Sequence, residues 1–410
     1  MPKYVRKCAT VHFWIMAISC LFIKCRRIFS SLNRFSRNIF YWKKPQKLGL
    51  CSLLSGLFIA STLTPATSLG SFVGARYICN KISDLTPTQR SMCQANMNAI
   101  VEVNEGTHMA LEECQRQFKH ERWNCKTQEG VSTSIFGQDE VLGTKEAAYK
   151  SAIRAAGVLY AIVTACGKGS LRDCGCDKSK RGYFEGINST RWGRKLLSRA
   201  ERATQTWKWG GCSVDMNHGL RYSREFWDAR ETKRDSRALM NLHNYEAGRK
   251  TVAKKLRIQC KCHGVSASCT TNTCWVTLPD FRDVGNTLKK AYTRSRKVNG
   301  DSEKHGRIRY QTLMYMRKGA PTKPHKRELV HIDRSPSYCA RDISTGTLGT
   351  VGRICNKTST DKNNCTHLCC GRGYKTQEKI RKWACKCKFF WCCRVTCKEC
   401  HEVTKQYVCL

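Results

Sequence analysis

Between Cys260 and Cys274 the chain carries four cysteines, the imidazole of His263 and the hydroxyl of Ser266 within fifteen residues. Gly264-Val-Ser266-Ala-Ser268 falls one residue short of the Gly-x-Ser-x-Gly turn that presents a nucleophilic serine. That turn needs a strand before the serine and a helix after it, whereas here cysteines flank the serine on both sides. A histidine three residues back in a tight loop is also badly placed as a general base. Hydrolysis is therefore not the chemistry this segment favours. Taken by itself, Ser266 reads as a polar turn residue.

A second cluster, Lys388 to Thr396, sets Phe389, Phe390, Trp391 and Val395 beside Cys392 and Cys393. These side chains have no core of their own to fill, and exposed aromatics on a stiff loop mark a protein-binding tip. The competing reading packs them onto neighbouring sulfur bridges, Phe389 first. Three N-glycosylation sequons begin at Asn188, Asn356 and Asn364. The close pairs Cys174-Gly-Cys176, Cys260-Lys-Cys262 and Cys385-Lys-Cys387 are tight for structural zinc, which prefers two to four residues between ligands. No metal site is expected.

Composition narrows the setting. The 73 Lys and Arg against 31 Asp and Glu leave a net charge of +42 over 410 residues. Such a charge favours a polyanion: nucleic acid, an acidic membrane or a sulfated polysaccharide. The 28 cysteines decide among these. Twelve lie between Cys339 and Cys409, a liability in a reducing cytosol and a framework in an oxidising compartment. With the sequons, they point to a secreted protein and exclude nucleic acid as a partner. The basic clusters Lys289-Lys290, Arg294 to Lys297 and Arg317 to Arg327 are candidate heparan sulfate contacts.

Residues 1–70 contain eleven basic residues and no acidic one. Two apolar runs, roughly 9–23 and 48–63, each follow basic residues and are shorter than the ~20 needed to span a bilayer. The second reads as a secretory segment cleaved near 60–70. Cleavage after the first run, a start inside the sequence, or a retained anchor remain open.

The elements that must position these groups follow from periodicity. Met97, Ile100, Val101, Leu111, Cys114 and Phe118 recur at helical spacing within Pro87 to about Trp123, and Thr86 before Pro87 is a natural N-cap. Residues 145–166 are apolar nearly all round in their second half, as befits the centre of a bundle. A third helical pattern runs from about Ser223 to Leu256. Arg257 to Asp280 reads as a cross-linked hairpin. Residues 317–336, basic, proline-bearing and without cysteine, read as a linker. The 337–410 segment is too short and polar to fold on apolar burial and must be held by disulfides.

Several stretches together resemble the Wnt family of secreted, lipid-modified signalling glycoproteins. They are Cys260-Lys-Cys-His-Gly-Val-Ser-Ala-Ser-Cys269 with Thr-Thr-Asn-Thr-Cys274-Trp275, Glu113-Cys-Gln-Arg-Gln-Phe118 with Arg122-Trp-Asn-Cys125, and Trp207-Lys-Trp-Gly-Gly-Cys212. Asn244-Tyr-Glu-Ala-Gly-Arg249 and Cys385-Lys-Cys-Lys-Phe-Phe-Trp-Cys-Cys393 complete the set. They run in family order from about Cys79 to the last residues.

The resemblance implies an α+β, disulfide-rich, two-domain fold. Its parts are a helical N-terminal domain (71–316) with a projecting β-hairpin near 257–281, and a cystine-knot-like C-terminal domain (337–410). It implies the pairs Cys114–Cys125, Cys166–Cys174, Cys176–Cys212, Cys260–Cys274 and Cys262–Cys269; Cys79 and Cys93 are left over by that pairing and are expected to join each other. Towards the C-terminus it implies Cys339–Cys370, Cys355–Cys365, Cys369–Cys409, Cys385–Cys400, Cys387–Cys397 and the vicinal Cys392–Cys393. Spacing alone leaves these connectivities open.

The resemblance further implies a palmitoleoyl ester on Ser266, with Val265 and Ser266 at one receptor contact. Phe389, Phe390, Trp391, Cys392, Cys393 and Val395 form the other. It implies no cofactor and no enzyme activity. The partners it implies are a Frizzled cysteine-rich domain, a lipoprotein-receptor-related co-receptor, the Porcupine acyltransferase, the Wntless carrier and heparan sulfate proteoglycans. Ala267 stands where the family usually has glycine, a strained choice if that position takes a positive φ. A heparin-binding matrix protein without its own receptor is the reading from another class.

Overall fold

The computed structural model describes residues 77–82, 84–126, 140–185, 206–233, 235–305, 308–391 and 393–410. The secretory segment at 1–70, the sequon at Asn188 and Cys392 lie outside the described residues.

Helix α1 (Pro87–Ala95) begins at a capping box in which Thr86 and Gln89 satisfy each other's backbone N–H. The single helix expected over 87–123 is two. Asn96, with φ −146°, ends α1 and caps α2 (Met97–Gln117) through its side chain on the Ala99 N–H. A residue that hydrogen-bonds its own local backbone competes with helix continuation, so the break falls there. Of the expected apolar face, Ile100, Cys114 and Phe118 are buried, while Val101 faces solvent.

Helix α3 (Lys145–Lys168) is the axis of the bundle and is buried along most of its length. It crosses α2 at Gly106 and Gly157, where a Cβ on either would meet the other's carbonyl oxygen at 2.5 and 2.2 Å. Only two glycines permit that approach. The third helical pattern also divides, into α4 (Met216–Trp227) and α5 (Ser236–Lys254), separated by a 3₁₀ turn at Asp228–Arg230. Arg249 on α5 is 1% exposed and reaches back to that turn, bonding both Asp228 oxygens at 2.9 and 3.0 Å. Helix α6 (Phe281–Thr293), absent from the sequence reading, packs Phe281, Val284 and Leu288 into the same core.

Strands β1 (Tyr183–Glu185), β2 (Thr206–Trp209), β3 (Arg257–Cys262) and β4 (Asn272–Thr277) form one sheet in the order β1-β2-β4-β3. β3 and β4 are the expected hairpin, antiparallel from Arg257↔Thr277 to Cys262↔Asn272. β2 lies parallel to β4, so the Trp207-Lys-Trp209 motif braces the hairpin from the side. Ser213 Oγ accepts from the Val276 N–H at 3.1 Å and extends that brace.

After α6 come β5 (Arg296–Lys297), β6 (Asn299–His305), β7 (Ile308–Arg317), β8 (Ala320–Thr322) and β9 (Val330–His331). The stretch expected as a linker is anchored in its second half. β9 pairs with β5, and Leu329 and Val330 are fully buried. Asn244 accepts from the Val330 N–H and donates to its carbonyl, both at 3.0 Å. A side-chain amide that mimics a strand edge offsets the cost of burying that peptide. The buried Glu146 takes hydrogen bonds from Ser335 (2.5 Å), Tyr292 (2.8 Å) and Tyr338 (3.0 Å).

Beyond residue 337 the core is largely sulfur. Cys355, Cys365, Cys369 and Cys409 cluster with Leu368, against Tyr374 and Tyr407. β10 (Ile354–Cys355), β11 (Tyr374–Phe390) and β12 (Arg394–Cys409) make the sheet β10-β12-β11. β11 and β12 form a long antiparallel ribbon whose residues are mostly exposed on both faces. Among the described residues, no helix is long and apolar enough to cross a membrane.

Among the described residues, eleven disulfides join the cysteines. They are the pairs named above with one exception. The expected vicinal pair involves Cys392, which lies outside the described residues; Cys393 itself is free and exposed.

Candidate functional site

Two bridges cross the β3–β4 hairpin. Cys260–Cys274 joins directly opposed residues, and Cys262–Cys269 closes the loop beyond them. Inside that loop a 3₁₀ turn, Val265–Ala267, carries the tip. The Gly264 N–H donates to the Ser268 carbonyl at 2.8 Å, the Ser268 N–H to the Val265 carbonyl at 3.1 Å, and the His263 N–H to the Thr271 carbonyl at 2.8 Å. These bonds leave Val265 89% exposed and Ser266 in solvent.

The left-handed residue of the turn is Ser266 itself, with φ 55° and ψ 35°. The sequence reading had raised that strain for Ala267. A non-glycine residue held in this region is over-determined by its surroundings, here by two bridges and three backbone hydrogen bonds. The consequence is that Ser266 stands exposed at the end of the hairpin. Ser268, the neighbouring hydroxyl, lies 3.3 Å from Thr270 Oγ1 instead. His263 Nε2 sits 3.0 Å from the Thr273 hydroxyl. Strands on both sides, rather than strand and helix, remove the context a hydrolytic serine requires.

The second tip ends the β11–β12 ribbon. Cys385–Cys400 and Cys387–Cys397 cross-link it below a bulge between Cys385 and Lys388. Phe389 pairs with Val395 and Phe390 with Arg394, which places Trp391 at the turn. Phe389 is 66%, Trp391 91% and Val395 58% exposed, and Phe390 also faces solvent. Phe389 therefore does not pack onto the bridges, the outcome weighed against it in the sequence. Farther down the ribbon Ile380 and Val403, a cross-strand pair, are exposed as well. The register, absent from the sequence, is the signal needed to find them.

Of the basic clusters, Lys289 does not offer a free charge. It is half-buried, 3.2 Å from Glu121 Oε1, with its ammonium over the Phe118 ring. Burial lowers its pKa to about 8 against the pull of Glu121. Of the other clusters, Arg296 and Lys297 stand together, and from 317–327 only Pro321 reaches them. Arg296, Lys297, Tyr315, Met316 and Pro321 line one open cleft of about 500 Å³. Asn356 is exposed, whereas Asn364 caps a one-turn helix, α7 (Cys365–Leu368), its Oδ1 accepting from the Thr366 N–H.

The architecture thus defines a disulfide-framed binding protein with two rigid, apolar, projecting tips. Residues 81–410 match the wnt family, and the chain belongs to that family. It is 41% identical over 338 residues to Protein Wnt-2 of Drosophila melanogaster, covering 81% of this chain and 92% of that one. It is 40% identical over 345 residues to Protein Wnt-5a of Pleurodeles waltl, covering 82% of this chain and 88% of the relative. Among solved structures, human WLS in complex with WNT8A matches with a TM-score of 0.50 and 33% identity, over 76% of this chain and 93% of that one. Members of this family are secreted signalling ligands and not enzymes, and this chain is a Wnt signalling ligand.

Proposed function

We propose that this chain activates Frizzled receptors by clamping the receptor's cysteine-rich domain between an acylated Ser266 and the aromatic tip around Trp391. The observation that carries the reading is Ser266. It is an exposed serine in a left-handed turn, locked by Cys262–Cys269 and set clear of competing hydrogen bonds. A C16 palmitoleoyl chain there adds apolar area at about 0.8 kcal/mol per buried methylene, enough for several kcal/mol in a receptor groove. A preordered tip lowers the entropy lost on docking. Phe389, Phe390, Trp391 and Val395, with Cys393 beside them, supply the second contact. The chain uses no cofactor beyond the covalent lipid.

In the producing cell a Porcupine-type acyltransferase attaches the lipid and a Wntless carrier conveys the product. The solved complex of WLS with WNT8A supports the carrier. A lipoprotein-receptor-related co-receptor engages the surface left free. The cleft at Arg296, Lys297 and Tyr315 retains the ligand on heparan sulfate in the matrix. That basic pair also favours the second reading, a heparin-retained matrix protein with no receptor of its own. Ser266→Ala separates the two: it abolishes receptor binding while leaving a folded, fully bridged product. Full signalling by that variant overturns the proposal.

A further inference from the structure

No described disulfide joins the helical half to the cystine-rich half, so side chains must hold one against the other. They meet where Tyr338 bonds Glu146 of α3 and at the turn Lys119 to Arg122, just after α2. From the cystine-rich side, Arg353 Nη1 donates to the carbonyls of Glu121 and Arg122 at 2.6 Å each, and Nη2 to that of Lys119 at 3.0 Å. Arg353 immediately precedes β10, which pairs with β12 of the aromatic ribbon. Lys362 Nζ reaches both Glu121 oxygens, at 2.8 and 3.1 Å. Arg122 Nε returns a bond to the His367 carbonyl at 3.1 Å.

From the other side comes Lys289. It sits on α6, which begins at Phe281, four residues beyond the last residue of β4. One carboxylate therefore receives a cation from the helix that follows the Ser266 hairpin and a cation from the base of the Trp391 ribbon. Burial works to raise the Glu121 pKa, but Lys362 and Lys289 prevail and hold it below the ordinary carboxylate range.

We infer that Glu121, with Lys289, Lys362 and Arg353 around it, is the positioning hub that fixes the placement of the two tips relative to each other. The inference rests on the two-tip reading. A second tip strengthens binding only while geometry lets both engage at once; a loosened joint dilutes its effective concentration. These residues touch no receptor in this account. Their effect on affinity passes through Ser266 and Trp391.

A double-mutant cycle on full-length acylated protein, binding recombinant Frizzled cysteine-rich domain, tests this. In the wild-type background Trp391→Ala weakens binding about 30-fold, a hot-spot effect. In an Arg353→Met background, itself weakened, the same change costs less than about 5-fold, because the second tip no longer engages together with the first. Lys362→Met, on a mostly exposed side chain that the fold tolerates, shows the same coupling in smaller measure, and Lys362→Arg restores it. An undiminished 30-fold cost of Trp391→Ala in both backgrounds, with the wild-type affinity otherwise kept, overturns the hub. If Trp391→Ala and Ser266→Ala are both silent in the wild type, the two-tip reading has failed and the hub falls with it.

Discussion

A Cβ placed on Gly264 would stand 2.0 Å from the hydroxyl oxygen of Ser268 and 2.6 Å from that residue's carbonyl oxygen. The loop that presents Ser266 is thus folded so tightly on itself that Gly264 has no room for a methyl group. Gly264→Ala must push the turn open, at about 1–3 kcal/mol of overpacking. The expected outcome is a secreted protein with intact bridges and a severalfold lower acylated fraction, read by intact-mass spectrometry. Unchanged acylation would show that the transferase does not need this turn.

Arg249 occupies a buried position between Asp228 and Glu246, at 2.9–3.2 Å from their oxygens. Arg249→Met leaves Asp228 largely buried without its main partner, which costs about 3–5 kcal/mol. Arg249→Lys recovers little, since one ammonium cannot bond both oxygens in the fork geometry. Denaturant midpoints with disulfides intact check this. A shift under about 1 kcal/mol for Met would contradict the buried-pair account.

Trp391→Ala is expected to cost about 2 kcal/mol of receptor affinity, while Ile380→Ala on the stem leaves the dissociation constant within about twofold. Equal effects at both positions would mean that the whole ribbon face, and not its end, is the contact.

The ribbon beyond Cys385 has no apolar core, so its order depends on two cross-links. Replacing Cys385, Cys387, Cys397 and Cys400 by serine should leave the main thermal transition in place, because the rest of the molecule unfolds separately from this extension. Receptor affinity should drop on the order of tenfold or more through lost preorganisation. Collapse of the main transition would show that the ribbon stabilises the body it projects from.

Lys289 keeps its proton only up to about pH 8 in the fold, against an ordinary value of 10.5, chiefly because it is buried; Glu121 pulls the other way and Lys362 adds to the lowering. Between those two values the unfolded chain binds more protons than the native state. Stability contributed by this group therefore rises as pH climbs from about 8 to 10.5. Comparing wild type with Lys289→Met across that range isolates it. A constant difference in midpoint would show that Lys289 titrates normally.

Much of this was legible in the sequence because cysteine and glycine leave strong marks. The run from Cys260 to Trp275 announced a cross-linked hairpin, and the apolar length of 145–166 announced a central helix. Asn96 hid a helix break, since an asparagine inside an amphipathic pattern reads as polar surface until its cap on Ala99 is seen. The stretch 317–336 looked like a tether because Leu329 and Val330 are two apolar residues among many polar ones. Their burial depends on Asn244, 86 residues away. The same distance effect concealed the hub: nothing near Glu121 in sequence points to Lys289 or Lys362.

Among the described residues, one passage of chain, around residues 317–330, is the covalent route between two bodies that each carry their own sulfur network. A protease that cuts among its exposed lysines and arginines would yield fragments that still elute together on a native sizing column, clasped by Arg353 and its neighbours. In urea, with no reductant added, they would part.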